Sequence, residues 1–124
     1  MSNPHNTKNC PIMGINKCIF EETGKCPITE ISNILAKRWV MQIMRELLAG
    51  NRRFNELQKS LKNISPRVLS ERLDEMEKYG IIKRKIYAEV PVKVEYSLTE
   101  KGLELKDSLN ALTKWWIKWE LSNI

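Results

Sequence analysis

Ser65-Pro66-Arg67-Val68-Leu69-Ser70-Glu71-Arg72-Leu73-Asp74-Glu75-Met76-Glu77-Lys78-Tyr79-Gly80 is the stretch on which the fold turns. A serine hydroxyl can accept from the unpaired N–H groups of a first helical turn, and proline at the first helical position has no N–H to strand and a φ already suited to the helix. Leu69, Leu73 and Met76 then recur at helical spacing until Tyr79-Gly80 supplies the stop. The pattern predicts a helix over 66–79 with one apolar face on a core. Arg67, Ser70, Glu71 and Asp74 fall on the opposite face.

Working upstream, Arg52-Arg53-Phe54 opens a helix ending near Leu61, with Phe54, Leu57 and Leu61 on one face and Lys62-Asn63-Ile64 as a short turn. Before it, Arg38 to Ala49 carries a wide apolar stripe that includes Trp39, read as core, and Gly50 terminates it. A further helix starts at Pro27 and runs to about Ala36, with Ile28, Ile31, Ile34 and Leu35 at helical spacing. Residues 1–25 show neither a helical nor a strand period and are read as an N-terminal arm, irregular or locally helical, ahead of a body over 26–122.

Downstream the composition turns β-rich. Ile81 to Tyr87 and Val94 to Leu98, separated by Ala88 to Lys93 with Pro91, predict a hairpin. Thr99 is the N-cap of a last long helix in which Leu105, Leu109, Leu112, Trp116 and Trp119 form a seam suited to another helix. The fold class is therefore mainly α with a small β-hairpin wing (α+β). Two short helices joined by a tight turn, with a ribbon directly behind, describe a winged helix-turn-helix.

With 124 residues, 42% hydrophobic and 29% charged, the chain suits one compact domain, and no run approaches the roughly 20 apolar residues of a membrane span. Met1 to Lys17 lacks the apolar run of a secretory signal, and three cysteines, an odd number, fit a reducing compartment, so a cytoplasmic location is expected. The net charge is +6, which points to an anionic partner such as nucleic acid or an acidic membrane surface. Its location is telling: Lys37 to Arg67 holds eight basic residues against Glu46 and Glu56, whereas cations and anions balance from Thr99 onward. Taken singly, each cation is as readily a solvated face; their joint segregation onto the helix-turn-helix is poorly explained by solubility alone.

Double-stranded DNA fits this pattern. Arg67, in the first turn of its helix, can reach guanine O6 and N7 with two bonds, and Ser70 and Glu71 lie beside it as candidate groove readers. Ser65 and the N–H groups at the helix start, Arg52 and Arg53 one helix earlier, and Lys59 and Lys62 near that helix's end can hold phosphates. In the ribbon, Lys83, Lys85 and Lys93 can lie along the backbone or reach a narrow minor groove. Trp115, Trp116 and Trp119 cover the core or, the favoured reading, make a dimer contact together with Leu105, Leu109 and Leu112.

The run from Cys26 to about Trp119 resembles the HxlR-type winged helix-turn-helix regulators of bacteria and archaea. The resemblance rests on Cys26-Pro27-Ile28, Lys37-Arg38-Trp39, Arg45-Glu46-Leu47-Leu48 with Gly50, and Arg52-Arg53-Phe54-Asn55-Glu56-Leu57. It continues in Ile64-Ser65-Pro66-Arg67-Val68-Leu69-Ser70-Glu71-Arg72-Leu73, Glu77-Lys78-Tyr79-Gly80-Ile81-Ile82 and Val90-Pro91-Val92-Lys93-Val94-Glu95-Tyr96-Ser97-Leu98-Thr99-Glu100-Lys101-Gly102. It implies a homodimeric repressor or activator with N- and C-terminal dimerisation helices, Ile28 and Ile31 among their contacts, on an inverted-repeat operator. Half-sites one DNA turn apart, roughly 34–36 Å, would suit it. One departure is Ala36-Lys37, where the family commonly has glycine before the Lys/Arg-Trp element.

Cys10, Cys18 and Cys26 are open to three readings: buried small hydrophobes, a thiol switch, or a zinc site with His5. For the switch, Lys25 and a helix N-terminus beside Cys26 both favour thiolate. The zinc reading lacks any closely spaced cysteine pair. Some members of the family sense oxidants, quinones or aldehydes through the cysteine matched by Cys26, which is what the resemblance implies for that residue; Cys10 and Cys18 lie outside the match.

His5 is the only histidine, and no Ser/His/Asp set, glycine-rich phosphate loop or His-Glu-x-x-His pattern is present, so no enzyme, cofactor or metal is expected. A protein-interaction module and a double-stranded DNA binder without sequence preference are the competing readings, and an effector pocket between dimer helices stays open.

Overall fold

The computed structural model describes residues 24–122. The chain divides into two compact units, Met1–Arg38 and Trp39–Ile124. In the first, α1 (Pro27–Leu35) opens on a proline and takes extended Cys26 as its N-cap residue, whose carbonyl accepts from the Glu30 N–H at 3.0 Å. Ile28 and Ile31 are exposed. The expected arm, with Cys10, Cys18 and His5, lies outside the described residues apart from its last two positions.

The second unit runs α2 (Val40–Leu48), α3 (Phe54–Leu61), α4 (Pro66–Lys78), β1 (Ile82–Tyr87), β2 (Lys93–Leu98) and α5 (Glu100–Ser122). Helix α2 starts two residues later than the apolar stripe suggests, because Trp39 turns left-handed at φ 82° and becomes its N-cap. An aromatic side chain seldom adopts this region. Trp39 is accordingly half-buried rather than core, while its carbonyl accepts the first helical bond, from the Ile43 N–H at 2.8 Å.

The core of this unit is built from Val40, Ile43 and Met44 of α2, Leu57 of α3, Leu69, Leu73 and Met76 of α4 and Ile82 of β1, all fully buried. The α3–α4 turn passes through two left-handed residues, Lys62 at φ 42° and Asn63 at φ 60°, and buries Ile64 behind them. Between α2 and α3, Asn51 Nδ2 donates to Glu46 Oε1 and Ser60 Oγ, each at 3.1 Å, which ties the two helices across the loop.

Strands β1 and β2 pair antiparallel, with Lys83, Lys85 and Tyr87 opposite Ser97, Glu95 and Lys93. Alternation puts these six residues on one face and Ile82, Arg84, Ile86, Val94, Tyr96 and Leu98 on the other. The hairpin root is locked to the last helix. Thr99 Oγ donates to the Gly80 carbonyl and accepts from the Gly102 N–H at 3.1 Å, as an N-cap does, and Lys101 Nζ donates to the Tyr79 carbonyl at 2.6 Å where α4 ends. Gly102 is buried, and a side chain there would collide with the Ile81 carbonyl.

Candidate nucleic-acid interface

Helix α4 is set by its cap and its core face. Ser65 Oγ accepts from the Val68 N–H at 3.1 Å, as its position before Pro66 predicts. With Leu69, Leu73 and Met76 buried, Arg67, Ser70, Glu71 and Asp74 are left exposed. Arg67 Nε donates to Glu71 Oε1 at 3.1 Å, one turn on, so the two candidate readers form a pair that leaves the guanidinium Nη atoms at the outer end.

Helix α3 starts one residue after Arg53, whose N–H donates to Glu56 Oε1 at 3.2 Å. Arg52 and Arg53 are exposed and line an open groove of about 600 Å³ with Gly50, Asn55, Glu56 and Glu95. The Arg52 main chain is not free to drift, because its carbonyl accepts from the Tyr96 N–H at 2.8 Å and so joins the loop before α3 to β2. A second groove, of about 380 Å³, crosses the wing and is lined by Arg52, Lys83, Arg84, Lys85, Tyr87, Glu95, Tyr96 and Ser97. Lys59 and Lys62 are exposed on and after α3.

The wing lysines are not equivalent. Lys85 and Lys93 stand 5.0 and 5.3 Å from the centre of the Tyr87 ring, within cation–π range. Lys93 Nζ also lies 3.3 Å from Glu95 Oε1, and the Tyr87 hydroxyl donates to Glu95 Oε2 at 3.4 Å. Hydrogen bonding from Lys93 holds the Glu95 carboxyl below the usual range against partial desolvation, with Lys93 and Arg53 adding favourable charge. On the opposite face, burial raises the Tyr96 phenol, with Arg84 opposing it.

Sequence reading named Lys83, Lys85 and Lys93 but not Arg84, Tyr87 or Glu95. Strand alternation alone puts Glu95 on the Lys93 face. Bringing Tyr87 onto both requires the hairpin register, which loop composition does not specify.

Cys26, Ile28 and Ile31 belong to the other unit. The Cys26 thiol is lowered chiefly by its interaction with the Thr29 backbone N–H and then the Thr29 hydroxyl, against a smaller desolvation. The sequence pointed to both Lys25 and the helix N-terminus for this effect; the first-turn N–H of Thr29 supplies it, while Lys25 is not among its causes and its Nζ lies 3.8 Å from Glu30. Among the described residues no three histidine, cysteine or acidic side chains gather as a metal site. On α5, Leu105 and Leu109 are half-buried, whereas Leu112, Trp115, Trp116 and Trp119 are exposed, with the Trp115 and Trp116 rings 6.2 Å apart. No helix among the described residues is long and apolar enough to cross a membrane.

Residues 34–123 match the family model described as HxlR-like helix-turn-helix. The chain is 48% identical over 101 residues to the uncharacterized HTH-type transcriptional regulator YvaP of Bacillus subtilis, covering 81% of this chain and 94% of that one. The reduced form of the transcriptional regulator YodB from B. subtilis superposes with a TM-score of 0.66 at 39% identity, over 73% of this chain and 90% of that one. YodB has also been solved diamide-treated and quinone-bound. The redox regulator HypR in its oxidized form gives a TM-score of 0.67 at 34% identity, over 73% of this chain and 93% of that one. A capped helix-turn-helix, a basic hairpin behind it and relatives of this closeness lead to one conclusion: the chain is a DNA-binding transcriptional regulator, not an enzyme, and belongs to the HxlR-like helix-turn-helix family.

Proposed function

We propose that the chain acts in the cytoplasm as a homodimer on an inverted-repeat operator and that Cys26 makes its DNA affinity responsive to oxidants or electrophiles. The observation that carries the DNA reading is the exposed stripe Arg67, Ser70, Glu71 on a helix whose other face is locked in the core. In this reading α4 enters the major groove and Arg67 reads a guanine through its Nη atoms, with Ser70 and Glu71 beside it. Ser65, Arg52 and Arg53 hold phosphates, and Lys83, Lys85 and Lys93 follow the backbone along the wing.

Leu112, Trp115, Trp116 and Trp119 are too large an apolar surface to leave in water, and a second copy of α5 covers them in the homodimer, with Leu105 and Leu109 at its margins; Ile28 and Ile31, exposed on α1, add contacts of their own. The lowered Cys26 thiol and the diamide-treated and quinone-bound states of YodB support the sensing role. Cys10 and Cys18 supply the partner thiol if oxidation ends in a disulfide.

The test is binding of the reduced full chain to DNA from upstream of its own gene, against random competitor, with and without a mild thiol oxidant. Competitor-resistant binding that the oxidant changes, and that no longer changes in Cys26→Ser, is the expected result. Binding without preference for any upstream sequence would remove the operator reading, and an oxidant effect that persists in Cys26→Ser would remove Cys26.

A further inference from the structure

The Glu95 carboxylate sits where a positive surface should be. It lines both the groove beside α3 and the groove across the wing, on the face that carries Lys83, Lys85 and Lys93. Around it stand an ammonium at 3.3 Å, a phenolic hydroxyl at 3.4 Å and the nearby charge of Arg53. An ammonium and an O–H donor on the two carboxylate oxygens, with a guanidinium lining the same groove, are the donor set that a DNA phosphate recruits from protein side chains.

We infer that Glu95 is a built-in stand-in for a DNA phosphate: in the free protein it occupies the donors of Lys93 and Tyr87 in the groove that Arg53 also lines, and a DNA strand must displace or share it. The inference rests on the proposed placement of the wing along the DNA backbone. A carboxylate in this position weakens attachment to every duplex by about the same factor. Binding then depends more on what α4 reads, since the part of affinity that is blind to sequence is held down. Glu95 therefore acts on affinity through Lys93 and Arg53 rather than by touching bases.

Glu95→Gln keeps an acceptor for Lys93 and Tyr87 and removes only the charge. The full-length variant is expected to bind a random-sequence duplex and the upstream duplex about two- to fivefold more tightly than wild type at physiological salt. Its log–log salt dependence should steepen by about one phosphate's worth of counterion release. Lys93→Gln supplies a second reading that does not depend on absolute affinity: as a backbone-contacting residue it should weaken binding to both duplexes, and by a larger factor in the Glu95→Gln background than in the wild-type one, where Glu95 offsets part of its charge. A variant that binds both duplexes no more tightly than wild type, or a Lys93 effect equal in the two backgrounds, overturns the inference and leaves the operator reading standing. A wild-type chain that binds neither duplex overturns both.

Discussion

Arg67 and Glu71 are joined across one turn of α4, Nε to Oε1 at 3.1 Å, with side chains 87% and 48% exposed. So exposed a pair adds little to helix stability, and its interest lies in how it aims the guanidinium. Arg67→Ala is expected to cost about 1–3 kcal/mol on the operator and to relax preference at one base position. Competition with single-base operator variants reads this directly. An equal loss on operator and random DNA would reassign Arg67 to the phosphates.

Ser65 caps α4 and, in the proposed function, also holds a phosphate, two duties that substitution can separate. Ser65→Ala removes the acceptor for the Val68 N–H and should cost about 1 kcal/mol of stability. Ser65→Asp restores the cap and suits the helix dipole, so thermal stability should stay near wild type. DNA affinity should nevertheless fall in Ser65→Asp, because an anion then faces the phosphate. Stability and affinity that move together would show that Ser65 is a cap and nothing more.

Gly102→Ala is expected to destabilise the protein by about 2–4 kcal/mol, since a methyl group there meets the Ile81 carbonyl, which is backbone and cannot swing aside. Denaturant unfolding of the two proteins checks it. Gly50, which has open space around its α-carbon, serves as the contrast for crowding, although its φ of 103° makes any side chain there strained.

For Cys26, the thiol lies below its ordinary value, so the thiolate persists to lower pH than in a free cysteine. Alkylation of Cys26 in a Cys10→Ser, Cys18→Ser background should therefore reach half its maximal rate at a pH below that of a simple thiol. Thr29→Val removes the hydroxyl but not the N–H, and should move the midpoint part of the way back. The same sign governs folding: a depressed acid stabilises the folded state above its unfolded pKa, and that contribution is lost as pH falls through the folded one. A midpoint at the ordinary thiol value would leave Thr29 without influence.

Truncation of Trp116 or Trp119 to alanine should weaken self-association by about 2 kcal/mol or more, because large aromatics carry much of the energy of such interfaces. Both are 56–57% exposed in the single chain, so monomer stability should change little. Sedimentation over a concentration series separates the two effects. Unchanged association would place the dimer contact elsewhere.

Local signals carried most of the fold. Ser65-Pro66 and Tyr79-Gly80 bracket α4 because capping chemistry is short-range and depends on only a few neighbours. Thr99 was readable as a cap for the same reason. Trp39 was not readable as a left-handed residue, since nothing in its neighbours favours that conformation and the apolar stripe runs through it without a break. The contacts around Glu95 were hidden for a different reason: they join Tyr87 of β1 to Lys93 and Glu95 of β2, and are specified by register rather than by composition. Lys101 reaching the Tyr79 carbonyl is likewise a long-range cap that spans 22 positions.

The bond from the Tyr96 N–H to the Arg52 carbonyl involves main-chain atoms alone. Any residue at 52, and any but proline at 96, can make it. The joint between hairpin and helix-turn-helix is thus indifferent to the exposed side chain at 52, which is at liberty to change without unfastening the scaffold, while the half-buried Tyr96 is held by its own packing. Position 52 can therefore gain or lose its grip on a phosphate while the wing stays fastened to the helices in the same place.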